Sequence, residues 1–373
     1  MPSEFMRAAL EQADAALGTT SPNPAVGAVV VRDGRIVGRG HTQPPGGPHA
    51  EVMALRDAGD AARGATLYVT LEPCSHHGRT PPCVDAILAA GVAEVRYAVG
   101  DPDPNVAGRG DANLRAAGVR VEDGDGAEES ARLLEGYLHH RRTGRPLVLV
   151  KFAASLDGRI AAASGDSRWV SGPEARAWAH HERTRIDAIA VGSNTVLVDD
   201  PELTARPEGV ADPHQPLRVV FDSHGRTPPS ARVLRGGGAL LLTTDAATEA
   251  WRAAVEAAGA AVERVTAGPD GRIDLGAALD LLGRRGVLTL LVEGGGTLLG
   301  AFFDQRHVGR LYAVIAPVIV GASTAPSAVA GRGAERMRDA PRLRDLTVQR
   351  LGDDTLIAGV PVWPDATDEG GDA

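Results

Sequence analysis

Hydrophobic and polar positions alternate along this chain in segments whose spacing switches repeatedly between a helix period and a strand period. Residues 4–17 carry apolar side chains at helical spacing, and a glycine follows them. Residues 25–31 and 35–40 alternate as strands do, and Asp33-Gly34 between them is the signal for a two-residue hairpin turn. The chain is therefore predicted to begin with a helix and a β-hairpin.

The segments that follow repeat this alternation up to about residue 144. The pattern predicts a helix in AEVMAL, a strand in ATLYVTL, a helix in PPCVDAILAAG, a strand in VAEVRYAVG, a short helix and strand in GRGDANLRAAGVRVEDG, and one charged helix in AEESARLLEGYLHHRRTG. Alternating strands and helices are typical of an α/β domain.

A second domain is predicted to begin near Gly144-Arg145-Pro146, because the apolar pattern restarts there. Its first segment, PLVLVKFAASLDGRIA, suits a strand buried on both faces. Strands are predicted in IDAIAVG, PLRVVFDS, GALLLTT, VLTLLVE and LYAVIAPVIVG, helices in GPEARAWAHHERTR, AATEAWRAAVEAAG, LGAALDLLGRRG and GTLLGAFFDQ, and a short helix or turn in SNTVLVDDP. The predicted domains are residues 1–144 and 146–363, and residues 364–373 have the composition of an acidic, disordered tail.

Composition agrees with two globular domains: the chain has 373 residues, of which 43% are hydrophobic and 23% charged. No apolar run has the length of a membrane span, and the N-terminus lacks the basic start and apolar core of a secretion signal. With two cysteines, a disulfide scaffold is excluded and a cytoplasmic location is expected. The net charge of −9 argues against sequence-independent nucleic-acid binding but not against a small anion held by local arginines.

Three potential metal ligands and one carboxylate fall in a single pattern: His49-Ala50-Glu51, Pro73-Cys74 and Pro82-Cys83. One imidazole and two thiolates fill three positions of a tetrahedral zinc site and leave the fourth open, as in catalytic zinc sites. Water in that position becomes a nucleophile near neutral pH. Glu51 is close enough to the histidine to move protons without being a ligand. The pattern is the general signature of zinc deaminases, although eight residues rather than two separate the cysteines here.

Two alternatives remain for these residues. Cys74 and Cys83 can be buried small hydrophobes, with His49 a surface histidine. A purely structural zinc site normally has a fourth protein ligand, which His76 or His77 can supply.

Polar residues of the second half follow predicted strands. Three glycines, 294–296, separate a buried strand from a helix, and such a turn allows backbone N–H groups to approach a phosphate. Glu293 ends that strand and is expected at the ligand crevice of an open α/β sheet. Asp199, Asp200 and Arg206 share one loop, which can equally be only solvated. Trp169 fits a core position or a cofactor contact.

The chain from about residue 4 to 362 resembles the bifunctional deaminase–reductase family of riboflavin biosynthesis. The resemblance lies in SPNPAVGAVVV, HAEV, LEPCSHHGRTPPC, DPDPNVAGRG, KFAASLDGRIA, SRWVS, VGSNTVLVDDPELTAR, PLRVVFDS and LVEGGGTLLGAF, in this order. It implies a cytidine-deaminase-like α/β/α domain with zinc, followed by a dihydrofolate-reductase-like α/β domain that uses NADPH. It also implies a phosphorylated pyrimidine substrate and a homo-oligomer, either a dimer or a tetramer.

The resemblance assigns roles to individual residues. It implies zinc binding by His49, Cys74 and Cys83 and proton transfer by Glu51. The cofactor positions that it implies are Ala153, Trp169, Thr195, Asp199, Ser223, Gly295, Gly296, Thr297, Leu298, Leu299, Gly300 and Ala301. The substrate positions that it implies are Ser167, Arg183, Leu203, Arg206 and Glu293, with the two arginines expected on the phosphate. Ala25, Ala28, Asn194, Gly309-Arg310 and the segment DPDPN depart from the usual family pattern.

Lys151 is the one lysine of the chain, and it interrupts the predicted buried strand LVLVKFAA. Burial of an ammonium group is unfavourable unless the group is paired, and it lowers the pKa. Lys151 is therefore a candidate catalytic residue of the reductase. The alternative is a lysine whose head group pairs with Asp199, Asp200 or Glu293.

Two other functional classes compete with this interpretation. One is a nucleoside or transfer-RNA deaminase with an added domain, which the acidic charge and the segments DDPELTAR and EGGGTLLGAF disfavour. The other is a zinc-stabilised binding protein whose second half senses a ligand. Glu51 beside an open zinc position disfavours this second class, because a structural site has no use for a general acid–base group.

Overall fold

The computed structural model describes residues 1–76 and 81–364. The chain divides into two compact units. The first comprises Met1–Pro146 together with Gly283–Leu288, and the second comprises Leu147–Leu282 and the residues from Thr289 onward. His77 and the acidic tail beyond residue 364 lie outside the described residues.

The first unit is an α/β structure built on a five-stranded sheet with the strand order β2-β1-β3-β4-β5. β1 pairs antiparallel with β2 and β3, whereas β3, β4 and β5 are parallel. Its strands are β1 Gly27–Arg32, β2 Arg35–His41, β3 Thr66–Leu71, β4 Glu94–Val99 and β5 Arg120–Asp123. Its helices are α1 Glu4–Asp14, α2 Ala50–Ala58, α3 Cys83–Ala90, α4 Arg109–Ala116, α5 Ala127–Leu133 and α6 Glu135–Thr143, with a 3₁₀ turn at Gly59–Ala62.

The hairpin predicted at the start of the chain is confirmed. Asp33 and Gly34 both have positive φ angles, 50° and 71°, as a two-residue hairpin turn of the favoured hand requires. Helix α2 lies against β2 at very short range, because a Cβ atom on Gly40 would stand 2.4 Å from the amide nitrogen of Ala54. This close packing fixes the position of the helix that carries Glu51.

The charged helix predicted over AEESARLLEGYLHHRRTG is wrong as a single element. Leu134 interrupts it and separates α5 from α6. The Leu134 side chain is buried in line with Ser130, Tyr137 and Leu138, so the buried stripe of the predicted helix is kept. The break lies in the backbone of Leu134, whose φ of −89° and ψ of 10° are not helical, although its amide still donates to the carbonyl oxygen of Ser130 at 2.9 Å.

The second unit is built on a nine-stranded sheet with the order β10-β9-β8-β7-β11-β6-β12-β14-β13. The strands from β10 to β12 in that order run parallel, and β14 pairs antiparallel with both β12 and β13. The strands are β6 Leu147–Ser155, β7 Ala188–Gly192, β8 Leu217–Phe221, β9 Ala239–Thr243, β10 Ala261–Arg264, β11 Thr289–Glu293, β12 Arg310–Ala316, β13 Arg342–Leu351 and β14 Asp354–Val362. The helices are α7 Pro173–Glu182, α8 Ser193–Asp199, α9 Glu249–Ala257, α10 Leu275–Arg284 and α11 Gly296–Asp304, with 3₁₀ turns at Arg232–Leu234 and Met337–Asp339.

The C-terminal hairpin β13–β14 and the short strand β10 were not predicted. The hairpin turn is Gly352-Asp353, a pair that does favour a two-residue loop. The first strand of this hairpin was not predicted because its sequence, RLRDLTVQRL, is mostly polar. The strand is exposed along most of its length. A strand at the edge of a sheet needs little hydrophobic alternation on its outer side.

The segment Gly283–Leu288 belongs to the first unit although it lies far along the chain. His140 Nε2 lies 3.0 Å from the carbonyl oxygen of Gly283, and Leu288 packs in the core of the first unit. A fragment that ends near residue 146 would lack this segment. Separate folding of residues 1–144 and 146–363 therefore stays a prediction.

In the described part of the chain, none of the helices combines the length and the apolar character that crossing a bilayer requires.

Candidate functional site

Three different elements deliver the potential zinc ligands to one place. His49 is the N-cap residue of α2, Cys74 follows β3, and Cys83 is the first residue of α3. Pro82 has a φ angle of −58° and precedes the first helical residue, so the helix begins at the cysteine. Both helix N-termini direct their positive ends toward the cluster, which favours thiolate.

The geometry of the three side chains fits zinc. His49 Nδ1 lies 3.1 Å from Cys83 Sγ and 3.6 Å from Cys74 Sγ, and all ligand atoms lie within 4.8 Å of one another. Ligand atoms of a tetrahedral zinc site lie roughly 3.5–3.8 Å apart. The donor set of one imidazole and two thiols is also the set that zinc prefers.

The two thiols differ in acidity. A hydrogen bond with Cys83 is the largest cause that lowers the pKa of Cys74, to about 4, and His49 adds a further hydrogen bond. The pKa of Cys83 is raised, first by its hydrogen bond with Cys74 and then by burial. The lowered pKa of Cys74 favours its thiolate, which is the form that binds metal.

Glu51 lies in the first turn of α2 and is 4% exposed. Burial is the largest cause that raises its pKa, followed by the charge of Cys74. A raised pKa suits a carboxyl group that must both accept and release a proton. Glu51, His49 and Cys74 line one cavity of about 290 Å³, with Asn23, Glu72, His76, Asp101, Asp103, Tyr137 and Arg141 also in its wall.

The structure bears on the alternatives for this site. His49, Cys74 and Cys83 come together, which isolated hydrophobic or surface residues would not do. His76 lines the cavity but does not belong to the ligand cluster of the described residues, and His77 lies outside them. The described residues thus offer three potential metal ligands beside the cavity.

In the second unit, the glycine turn lies between β11 and α11. Gly294 has a φ angle of 114°, which side chains rarely adopt, and a Cβ atom there would stand 2.9 Å from Thr195 Oγ1. The amide of Gly295 donates to Thr195 Oγ1 at 3.1 Å. No side chain caps the N-terminus of α11, so its first amides are available to a phosphate group. This turn fits a dinucleotide cofactor.

The Ser167 hydroxyl donates a hydrogen bond to Asp199 Oδ1 at 3.4 Å. Arg168 also donates to the carbonyl oxygen of Asp199, at 3.1 Å. Trp169 is 70% exposed, which excludes the core position considered above, and the guanidinium of Arg176 lies 4.7 Å from its ring centre. The exposed indole ring remains available to a ligand.

Arg183 and Glu293 form a buried ion pair. Arg183 Nη2 lies 2.8 Å from Glu293 Oε2, and Nη1 donates to the carbonyl oxygen of Thr204 at 3.1 Å. Burial alone would raise the pKa of Glu293, but Arg183 and Lys151 hold it at about 2. Lys151 is half-buried in β6, next to Glu293 in the register of the sheet.

The remaining predicted positions have diverse surroundings. Arg206 is exposed and pairs with Glu202, whereas the Leu203 side chain is packed in the core, so only its backbone can meet a substrate. Ser223 Oγ accepts a hydrogen bond from the amide of Ile273 at 3.1 Å. Ala153 is half-buried in β6. Residues 296–301 form the first turns of α11.

Comparisons with known proteins agree with this division. Residues 1–99 match the cytidine and deoxycytidylate deaminase zinc-binding region, and residues 146–357 match the RibD C-terminal domain. The riboflavin biosynthesis protein RibD of Escherichia coli (strain K12) is 41% identical over 366 residues, covering 95% of this chain and 97% of the relative. The chain belongs to the RibD family. Its RibD relative in Mycobacterium tuberculosis (strain H37Rv) is 42% identical over 359 residues, which cover 95% of this chain and 96% of the relative.

Solved RibD structures match the whole chain. RibD of Acinetobacter baumannii (form 1) has a TM-score of 0.87 at 36% identity and covers 96% of this chain and 98% of its own. A Thermotoga maritima protein described as a diaminohydroxyphosphoribosylaminopyrimidine deaminase/5-amino-6-(5-phosphoribosylamino)uracil reductase has a TM-score of 0.84 at 34% identity, with the same coverage. The RibD-family assignment confirms the expected α/β class, with a zinc-binding deaminase region and a reductase domain of the NADPH-using type. The roles of individual residues stay predictions.

One residue of the RibD deaminase cavity was missed by the sequence analysis. Glu72 is buried and its carboxylate accepts four backbone N–H groups, from Asp101 at 3.4 Å, Gly108 at 3.0 Å, Gly110 at 3.1 Å and Asp111 at 3.3 Å. These bonds fix the loop that forms one wall of the cavity and the start of α4. Its position directly before Pro73-Cys74 was the available signal, but the sequence does not show which loop it holds.

We predict that Glu72→Gln loosens this wall. An amide nitrogen replaces one acceptor oxygen, so two buried N–H groups lose their partner, which lowers the free energy of unfolding by about 2 kcal/mol or more. Deamination is expected to fall roughly 10-fold, because the wall positions the substrate. Hydrogen exchange over residues 101–111 and zinc content should be measured beside the ammonia assay. Glu128→Gln, at an exposed helical ion pair, is the matched control; unchanged exchange in Glu72→Gln would contradict the assignment.

Proposed function

We propose that this RibD-family chain hydrolyses the 2-amino group of 2,5-diamino-6-(5-phosphoribosylamino)pyrimidin-4(3H)-one. We propose that it then reduces the ribosyl group of 5-amino-6-(5-phosphoribosylamino)uracil to ribityl with NADPH. The observation that carries the proposal is the buried Glu51 carboxyl group in one cavity with the cluster of His49, Cys74 and Cys83. The names of the two activities of the Thermotoga maritima relative support it.

In the deaminase half, Glu51 performs the proton transfers. Zinc, held by His49, Cys74 and Cys83, supplies an acidified water molecule when it is bound. Glu51 accepts a proton as the water oxygen attacks the ring carbon that bears the amino group. The same carboxyl group then delivers a proton to the amine, which leaves as ammonia while a carbonyl group forms. Burial helps both steps, since it keeps the protonated form of Glu51 accessible.

In the reductase half, one hydride and one proton must add across the carbon–nitrogen bond of the ring-opened, imine-like ribosylamine. NADPH supplies the hydride when it is bound. The turn around Gly295 and the Thr195 hydroxyl lie where a cofactor phosphate group can be held. Lys151, in the middle of β6, is the register partner of Glu293 at the carboxyl end of β11, and the two side chains are placed to orient the sugar and to deliver the proton.

The proposal is tested by measuring two products on the purified chain. Ammonia release from the diaminopyrimidinone and oxidation of NADPH with the deaminated product are both expected, and chelation of zinc should stop only the first. A transfer-RNA or nucleoside deaminase would release ammonia from those substrates instead. Absence of both reactions would leave a zinc-stabilised binding protein.

We predict that Lys151 acts in the reductase site. Lys151→Arg keeps the charge but changes its shape and pKa, and Lys151→Met keeps only the stem. Reductase turnover is expected to fall about 100-fold in both variants, because proton delivery is lost, while NADPH binding and thermal stability hold. Full turnover in Lys151→Arg would mean that Lys151 acts only as a charge beside Glu293.

We propose that the chain forms a homo-oligomer, a dimer or a tetramer, through the edge strand β13. This strand is exposed along most of its length, and Leu346 and Val348 are 57% and 64% exposed. An exposed edge strand has unpaired backbone groups that can pair with a second copy, and here two exposed apolar side chains lie on it. Sedimentation velocity should show an oligomer that Leu346→Lys combined with Val348→Lys converts to a monomer. A wild-type monomer at micromolar concentration would contradict this.

We also propose a cytoplasmic location. The ligand thiols Cys74 and Cys83 must stay reduced to bind zinc, and a cytoplasm maintains that state. Cell fractionation followed by immunodetection tests it, and enrichment outside the cytoplasmic fraction would contradict it.

A further inference from the structure

Arg141, in α6, lies in the wall of the deaminase cavity. Its guanidinium group is held from two sides: Nη2 donates to the carbonyl oxygen of Pro22 at 3.1 Å, and the carbon of the group lies 4.9 Å from the ring centre of Tyr137. Tyr137 is itself fixed, since its hydroxyl donates to Asp101 at 3.0 Å. The cation is therefore pre-positioned at the cavity.

Among the described residues that line this cavity, negative charges outnumber positive ones. Its described wall carries four carboxylates, those of Glu51, Glu72, Asp101 and Asp103. Arg141 is the only arginine or lysine among the described residues that line it. A phosphorylated substrate brings at least one further negative charge into this cavity, so a fixed positive charge is needed where its phosphate group lies.

One N–H group of Arg141 is not satisfied by an acceptor within the protein. Its Nε atom is buried and has no hydrogen-bond partner. The nearest carboxylate oxygen, Asp103 Oδ2, lies 3.6 Å from Nε, which is an ion-pair distance beyond hydrogen-bond range. The other oxygen of Asp103 already accepts from the amide of Asn105 at 2.9 Å and from its side chain at 3.0 Å. Asp103 therefore neutralises the guanidinium only loosely, without a hydrogen bond to Nε.

We propose that Arg141 binds the phosphate group of the deaminase substrate, with Asp103 and Tyr137 holding the guanidinium in place. The planar fork of arginine matches phosphate oxygens, and its terminal N–H groups can donate to them from the cavity wall. This inference rests on the proposed function, because it assumes a phosphorylated pyrimidine. The competing explanation is that Arg141 only neutralises Asp103.

A double-mutant cycle separates these explanations. Ammonia release should be measured for the wild type, Arg141→Met, Asp103→Asn and the double variant, with the phosphorylated substrate and its dephosphorylated form. Arg142→Met is the matched control, because Arg142 is the exposed neighbour on the same helix. Zinc content and calorimetric binding of ribose 5-phosphate to the zinc-loaded protein complete the set.

Arg141→Met is expected to raise KM for the phosphorylated substrate roughly 10- to 100-fold, the range for loss of a charged hydrogen bond. Its kcat, its zinc content and its KM for the dephosphorylated form should change little, and ribose 5-phosphate binding should weaken in parallel. In the double variant KM should stay raised relative to Asp103→Asn. Recovery of a wild-type KM in the double variant, or equal KM effects on both substrate forms, would overturn the inference. Failure of the wild type to deaminate the phosphorylated substrate would instead overturn the proposed function, and the inference with it.

Discussion

Glu51→Gln is expected to abolish deamination while zinc stays bound and the reductase stays active. Glutamine has nearly the same shape, so the packing of α2 against the sheet is kept. The amide can neither accept the proton of the attacking water nor deliver one to the leaving amine, and loss of general acid–base catalysis lowers the rate on the order of 10⁴-fold. Ammonia release, zinc content and NADPH oxidation should be measured on one preparation.

Glu72→Gln is the informative comparison for Glu51→Gln. Both residues are buried glutamates in the wall of the same cavity. Glu72 acts through backbone N–H groups, so its variant should lose stability and retain part of the activity. Normal ammonia release by Glu51→Gln would remove Glu51 from the reaction.

The zinc cluster could be predicted from the sequence because its residues carry short, local signals. A histidine at a helix start, a cysteine after a strand and a cysteine at the next helix start are each readable within a few residues. One strand–loop–helix connection brings Cys74 to Cys83, and the start of the preceding helix α2 adds His49. The function of Glu72 could not be predicted, since its partners lie 29 to 39 residues further along the chain.

The incorrect predictions of the fold also have physical causes. Leu134 divides the predicted charged helix because its backbone leaves helical angles, although its side chain keeps the buried stripe. Strand β13 forms although most of its side chains are exposed, because it pairs with β14. Likewise, the sequence placed Arg183 and Glu293 in one site but could not show that they pair with each other.

Removal of the ion pair between Arg183 and Glu293 is expected to have a second large effect, on the free energy of unfolding. Arg183→Met leaves the buried Glu293 carboxylate with Lys151 as its remaining positive neighbour, and the free energy of unfolding is expected to fall by about 3 kcal/mol near neutral pH. Arg206→Ala, at an exposed ion pair with Glu202, should change it by less than about 1 kcal/mol. Chemical denaturation of the full chain measures both.

The effect of Arg183→Met should depend on pH in a defined direction. The pKa of Glu293 is about 2 in the folded chain and about 4.3 in an unfolded one. The pair therefore contributes its full stability above the unfolded pKa and loses it as pH falls toward about 2. Without Arg183, burial raises the pKa of Glu293, so protonation relieves the variant and its deficit should shrink below about pH 5. A deficit that is independent of pH would contradict the charge argument.

The double variant Arg183→Met with Glu293→Gln separates stability from binding. Removal of both charges should recover most of the lost stability, because no buried carboxylate remains unpaired. If Arg183 also holds the substrate phosphate, as expected from the sequence, KM of the reductase for its substrate stays raised in the double variant relative to Glu293→Gln alone, while binding of NADPH is unchanged. Recovery of KM together with stability would limit Arg183 to the support of Glu293 and leave Arg206, whose guanidinium is exposed, as the phosphate ligand.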